Sequence, residues 1–359
     1  MTPGWWRGRR VFLTGHTGFK GGWLALWLTD MGAQVHGYSL APPTSPSFFE
    51  VCRMAGSLAS SVIADIRDLA ALKAAVQAAK PEVIFHLAAQ PLVRRSYRDP
   101  LETIGTNVLG TAHVLSAALE CPGVRALVNV TTDKCYENIG SGRPFLEGDR
   151  LGGTDPYSCS KACAELVTAA YREAFCVRAG LAVATARAGT VIGGGDWAED
   201  RLIPDFLRCL DRGQPLAIRA PTATRPWQHV LEPLSGYLIL AQRLAAGEAA
   251  MAGAWNFGPE PGDAQPVRWV VERMCERVAG ASWRIDSATD HRHEAHLLEL
   301  DSTKARTQLG WRPKWRLDEA LNRTIDWHAA WKRENDMRAV SLEQIHAYSL
   351  AGAAAGQAR

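Results

Sequence analysis

Residues 15–21 read Gly-His-Thr-Gly-Phe-Lys-Gly and lie between an apolar run, RRVFLT (9–14), and a helical pattern, FKGGWLALWLTDM (19–31). A strand that turns at once into a helix is the tightest constraint in the chain. Glycine supplies the turn, lets other backbone come close, and leaves the first N–H groups of the helix bare. Any tight strand–helix turn needs glycine, so the triplet alone is weak evidence. Its place after the first strand of an α/β pattern makes Gly15, Thr17, Gly18, Phe19 and Gly21 candidates for a dinucleotide-phosphate cradle. The spacing is GxxGxxG rather than GxGxxG. The acid expected about 20 residues further on would hold the adenosine ribose. That position falls in Tyr38-Ser39-Leu40, with neither acid nor arginine, which points to NAD rather than NADP.

Further apolar runs follow: AQVHGY (33–38), SSVIAD (60–65), EVIFHLAA (82–89), VRALVNVTT (124–132) and LAVATAR (181–187). They show little strict alternation, as parallel strands covered on both faces should. Helical patterns separate them, one over 100–119 and another starting near Pro156. The expected fold is α/β, a Rossmann-type doubly wound parallel sheet with a smaller α/β substrate lobe. Residues 1–190 would form the nucleotide-binding domain, 191–335 the interleaved lobe, and 336–359 a C-terminal segment whose Ala/Gly tail is expected to be disordered.

A net charge of +3 over 359 residues is too small to imply nucleic acid. No apolar run reaches the ~20 residues of a membrane span, and the N-terminus leaves no room for a signal peptide. The eight cysteines lack metal-ligand spacing, so no metal is expected; reduced thiols suit a cytoplasmic protein.

The fifth apolar run ends in VTTDKCYEN (130–138), which sets Thr131 and Thr132 beside the acid Asp133 and the base Lys134. Charges at the end of a buried strand are paired or used. In Tyr157-Ser-Cys-Ser-Lys161 the Tyr and Lys share a helix face, and a nearby ammonium would lower the phenol pKa and make Tyr157 a base. Leu87, Ala88, Ala89 and Gln90 follow the fourth run at the carboxyl edge where such sheets bind ligands. Asp65 and Ile66 could hold an adenine edge or form a plain surface turn. His86 is either a hydrogen-bonded core residue or a contact, and Asn107 either a tie between strands or ordinary packing.

The glycine loop, the strand-end threonine and YxxxK together resemble the extended short-chain dehydrogenase/reductase family. The segments GHTGFKGGWLALWL, FHLAAQPLVRRSY, TTDKCYEN, DPYSCSKACAELV, VIGGGDWAEDRLIPD and TRPWQHVLEPLSGYL are similar, more narrowly, to its NAD-dependent nucleotide-sugar 4,6-dehydratases of the CDP-glucose type. The resemblance spans roughly residues 9 to 330. It implies NAD as cofactor, CDP-glucose as substrate, and an internal redox cycle. C4 is oxidised, water leaves across C5 and C6, and the hydride returns to C6. Thr132 would bond the C4 oxygen, Asp133 protonate the C6 hydroxyl, Lys134 take the C5 proton, and Tyr157 with Lys161 serve the oxidation and meet the cofactor. The related dTDP-glucose enzymes carry Glu where Lys134 stands. Lys134 must be neutral to act, and Lys161 is the neighbouring cation expected to make it so.

The same resemblance puts Arg225 on the nucleotide pyrophosphate, with Arg201 and Arg219 as looser candidates. His293 would meet the phosphate or ribose, and Arg94 or Arg95 the sugar. Thr190 stands where relatives carry Asn, and Cys159 where they carry Asn between the Tyr and Lys. A homodimer built on helices 100–119 and 156–175, or a dimer of dimers, is implied, as is a place in deoxysugar supply for surface polysaccharide such as lipopolysaccharide O-antigen. The alternatives are a dTDP- or GDP-sugar dehydratase, a nucleotide-sugar 4-epimerase, or a non-catalytic NAD(H) sensor. An epimerase has no use for an acid–base pair after Thr132.

Overall fold

The computed structural model describes residues 2–140, 142–286 and 298–351. Its central sheet comprises β1 (Arg10–Thr14), β2 (Gln34–Ser39), β3 (Ser60–Ile63), β4 (Val83–His86), β5 (Ala126–Val130), β6 (Ala182–Ala188) and β7 (Gly253–Phe257). The order is β7-β6-β5-β4-β1-β2-β3, and every neighbouring pair is parallel. The strand order reverses between β1 and β4, which opens a crevice at their carboxyl ends.

The strands lack alternation because both faces are covered. Val11 and Leu13 join one apolar core with Leu24, Leu231 and Leu234, while Phe12 joins the other with Leu72, Val76 and Leu115. The helices Phe19–Asp30 and Leu231–Ala245 cover the first face, Leu69–Ala79 and Gly110–Leu119 the second. A third core, around Phe206, Trp227, Val271 and Leu321, belongs to the smaller lobe. The chain from beyond residue 190 also returns to supply β7, so the two units interleave.

Several elements differ from their sequence outlines. The run 60–65 ends as a strand at Ile63, and 82–89 ends at His86, because residues 87–90 leave the sheet to pass over Gly15. The helix over 100–119 contains a π turn, Gly105–Leu109, between Pro100–Ile104 and Gly110–Leu119. Asn107 within that turn spends its side chain on the backbone of Gln90, an irregularity of the kind found beside functional sites. Leu115 is buried in the sheet's own core, whereas Leu166 is 58% exposed. The C-terminal segment forms a helix, Met337–Leu350, whose Tyr348 ring packs on Trp27 and Trp315. The rest of the expected tail, 352–359, lies outside the described residues.

Glu232 anchors that docking. Fully buried, it accepts hydrogen bonds from the N–H groups of Lys314 and Trp315 (3.0 and 2.7 Å) and from the Tyr348 hydroxyl (2.6 Å). Burial nevertheless pushes its carboxyl up to about 7, against the pull of those donors. A carboxyl with a folded pKa above its unfolded value loses stability as pH rises. The folded protein should therefore lose stability between pH 4.5 and about 7 through this group. Urea unfolding of wild type and Glu232→Gln should show the stability gap between them narrowing over that range.

Candidate active site at the carboxyl edge of the sheet

The glycine loop is pressed against the exit of β4. Gly15 has φ 82°, and a Cβ there would lie 2.7 Å from the Ala88 nitrogen and 2.8 Å from the Leu87 carbonyl carbon. A Cβ on Gly21 would lie 2.0 Å from the Gly15 oxygen. Gly18 caps the helix Phe19–Asp30, whose first N–H groups have no intrahelical acceptor. The Thr17 hydroxyl donates to the Leu40 carbonyl (2.9 Å) and bonds the Ser39 hydroxyl (2.9 Å), so a neutral corner stands at the end of β2. The His16 ring packs against Gly37 of β2, where a Cβ would lie 2.7 Å from its Nδ1, and its Nε2 bonds the Ser61 hydroxyl (2.8 Å). Close backbone and bare N–H groups fit a dinucleotide pyrophosphate.

Around this cradle the open sequence readings separate. The Asp65 carboxylate is turned onto Arg67, accepting from its backbone N–H (2.8 Å) and its Nε (2.9 Å), the surface-turn arrangement, while Ile66 is buried. His86 is a core residue, bonded to the hydroxyls of Thr14 (2.7 Å) and Thr111 (3.2 Å). Asn107 is a tie: its Oδ1 accepts from the Gln90 N–H, and its Nδ2 donates to the Gln90 carbonyl and to Ser160 Oγ (2.9 Å). It fastens the exit of β4 to the helix Pro156–Tyr171.

That helix is capped by Asp155, which accepts from the Ser158 N–H, and it buries Tyr157 and Lys161. Cys159 lies on its exposed side. The Tyr157 pKa is pushed up to about 12, not down: burial outweighs the pull of the Thr132 hydroxyl and Arg201. Burial lowers Lys161 to about 8, partly countered by Glu165 one turn along. Lys161 Nζ donates to the Val130 carbonyl (3.4 Å). Lys161 also acts electrostatically on Lys20 of the glycine loop. Burial and the charges of Lys161 and Arg201 hold Lys20 down at about 7, and its Nζ reaches the Tyr237 hydroxyl (3.3 Å).

Thr132, Asp133 and Lys134 open a single 3-10 turn, Asp133–Cys135, at the end of β5. Thr132 Oγ1 donates to Asp133 Oδ1 (2.9 Å) and accepts from the Lys134 N–H (3.3 Å). Burial raises the Asp133 pKa against the pull of Lys134, Thr132, Arg225 and Lys20, which favours a protonated carboxyl. Gly189 is required beside it, since a Cβ there would lie 3.2 Å from Asp133 Oδ2 and 2.4 Å from Pro226 Cγ.

The two arginines after Gln90 have different partners. Arg95 pairs with Glu102 (2.6 Å), while Arg94 reaches Asp200 (3.1 Å), which Arg219 also approaches (3.6 Å). Arg201 pairs with Asp196 (2.8 Å) of the GGGDW segment and acts electrostatically on Tyr157. The Thr190 carbonyl accepts from the Gln228 N–H (3.0 Å). His293 lies outside the described residues. Sequence reasoning missed Lys20, Glu165 and Arg187. Glu165 alone carried a signal, standing four residues beyond Lys161 on the same helical face.

A family model described as GDP-mannose 4,6 dehydratase matches residues 12–324. The CDP-glucose 4,6-dehydratase of Salmonella typhimurium is 51% identical over 349 residues, covering 96% of this chain and 97% of that protein. This chain belongs to the nucleotide-sugar 4,6-dehydratases. A more distant member, the dTDP-glucose 4,6-dehydratase of Streptomyces griseus, is 30% identical over 71% of this chain and 75% of its own. Among solved structures, MoeE5 in complex with UDP-glucose and NAD superposes with a TM-score of 0.74 at 25% identity, covering 90% of this chain and 99% of its own. The strand order and the glycine loop of this dehydratase are those of a nucleotide-binding α/β fold, and the acid–base turn stands at the same edge.

Gly21→Ala should weaken NAD⁺ binding at least about tenfold, or about 1.4 kcal/mol, by isothermal titration calorimetry. Gly56→Ala, where a Cβ would meet nothing within 4 Å, should leave it unchanged.

Proposed function

We propose that this chain converts CDP-glucose to CDP-4-keto-6-deoxyglucose. The observation that carries the reading is the buried turn that puts Asp133 and Lys134 next to Thr132, on the flank of Tyr157 and Lys161. Oxidation at C4 needs only the tyrosine and the cofactor; the extra acid and base serve an elimination that an epimerase does not perform. The 51% identity to a CDP-glucose 4,6-dehydratase supports the same substrate.

The glycine loop, the N-terminus of the helix Phe19–Asp30, residues 87–90 and the Tyr157–Lys161 face would hold NAD⁺, which would supply the hydride acceptor for C4 and the hydride donor for C6. Tyr157 takes the C4 hydroxyl proton. Burial makes its phenolate costly, and Arg201 offsets part of that cost. Thr132 orients the C4 oxygen. The ketone acidifies C5, Lys134 removes that proton and gives it back to C5 as hydride reaches C6, and Asp133, whose pKa burial raises, gives its proton to the C6 hydroxyl, which leaves as water. Arg225, with Arg201 and Arg219, is suited to the substrate's diphosphate, and Arg94 to the sugar. Thr190 supplies a shorter side chain at the substrate edge than the Asn of relatives.

Two copies are proposed to pair through the helices Pro100–Ile104, Gly110–Leu119 and Pro156–Tyr171. Leu101, Leu109, Leu166, Phe175 and Val177 leave a row of apolar side chains more than half exposed there. Among the described residues no helix is long and apolar enough to cross a membrane. Eight unbridged cysteines support a place in a reducing cytoplasm.

Purified protein given CDP-glucose and NAD⁺ should yield the alkaline 4-keto-sugar chromophore, and dTDP-, GDP- and UDP-glucose should not. Lys134→Ala should lower the rate at least about 100-fold, the range for loss of a general base. Signal from another nucleotide would overturn the substrate. No signal from any would overturn the reaction.

A further inference from the structure

The catalytic apparatus proposed above sits on two elements that share no covalent rigidity. Tyr157 and Lys161 ride on a 16-residue helix, whereas Asp133 and Lys134 occupy a 3-10 turn of three residues, too short to hold its own geometry. One buried ion pair touches both. Glu165, on the helix, and Arg187, on β6, are each 3% exposed and meet in a bidentate contact, Nε to Oε1 at 2.9 Å and Nη2 to Oε2 at 2.7 Å. Thr131, two residues before the turn, donates its hydroxyl to Glu165 Oε1. Tyr136, immediately after it, accepts from Arg187 Nη1 (2.7 Å) and donates to Asn256 Oδ1 (2.7 Å). Thr185 Oγ1 fills Glu165 Oε2 (2.7 Å), and the Glu147 carbonyl takes a further Arg187 proton (3.0 Å).

We propose that Glu165 and Arg187 are positioning residues that hold the Asp133–Lys134 turn in register with Tyr157 and Lys161. Both flanks of the turn are bonded to the same pair, and the pair is anchored on the tyrosine helix. An apolar pair of the same volume would fill the site at no desolvation cost, but it would not specify direction. Four of the five Arg187 N–H groups and both Glu165 oxygens are engaged, so rotation of the turn breaks a buried hydrogen bond at either Thr131 or Tyr136. The inference rests on the dehydratase reading and makes a separate claim: the pair serves elimination far more than C4 oxidation.

The test uses full-length enzyme loaded with NAD⁺ and CDP-glucose, comparing wild type with Tyr136→Phe, Thr131→Val and Glu165→Gln. The first two remove one hydroxyl each and leave no buried charge unpaired, so they carry the test if Glu165→Gln does not fold. Single-turnover stopped flow follows reduced nicotinamide for oxidation and the 4-keto-6-deoxy product for elimination and hydride return. Thermal unfolding is measured alongside. For Tyr136→Phe and Thr131→Val the expected result is oxidation within about twofold of wild type and product formation slowed about 10- to 100-fold, the scale of a misplacement near 1 Å. Glu165→Gln, which also removes a charge acting on Lys161, should slow product formation at least as much. Reduced nicotinamide should accumulate transiently. Equal slowing of both steps, or of neither, in folded Tyr136→Phe and Thr131→Val would overturn the proposal. Wild type that forms no product would overturn the dehydratase reading beneath it.

Discussion

The Glu165–Arg187 pair is the constraint on which the catalytic edge depends. Two charges removed from water carry a desolvation cost of several kcal/mol each, and only full hydrogen bonding offsets it. Here Thr131, Thr185 and Arg187 fill the carboxylate, and Glu165, Tyr136 and the Glu147 carbonyl take four of the five guanidinium N–H groups. Because no partner can leave cheaply, β5, β6, the helix Pro156–Tyr171 and the 3-10 turn are fixed relative to one another. The Tyr136 ring, stacked on Phe145 at 4.7 Å and lying under the Arg187 guanidinium, extends the same lock toward the 145–151 loop.

The charges above this lock are arranged differently. Lys20, Lys161 and Arg201 converge on the cleft with Asp133, and burial depresses both lysines. A site crowded with cations and poor in solvent favours anionic ligands, and a dinucleotide and a nucleotide diphosphate are both anionic. The raised carboxyl of Asp133 and the raised phenol of Tyr157 follow from the same shortage of water. Burial shifts both toward the protonated form, which suits the acid at once and the base only when cations approach it.

Much of this was legible beforehand. Parallel strands buried on both faces read as unbroken apolar runs, so Val11–Leu13 and Val83–Phe85 announced themselves. The order of runs and helices implied the doubly wound sheet. The glycine loop was legible because its steric demand, at Gly15 and Gly21, is met by one residue type only. Tyr157 and Lys161 followed from helical spacing. Boundaries were less certain: strands ended where the chain left the sheet to pass over Gly15, and the π turn at Gly105–Leu109 has no composition of its own.

What the sequence alone determined was therefore local or periodic: the fold class, the cradle, and the residue types at the catalytic edge. What only the tertiary structure decided was which charges meet. No spacing linked Lys20 to Lys161, more than a hundred residues further along the chain, yet the charge of Lys161 helps to depress the Lys20 pKa. Spacing suggested that the ammonium would lower the tyrosine pKa, yet burial dominates and raises it. Arg187 was an ordinary residue of an apolar strand until Glu165, 22 positions earlier, was folded against it. Electrostatic energies depend on separation and on the depth of burial, and neither is a property of position along a chain.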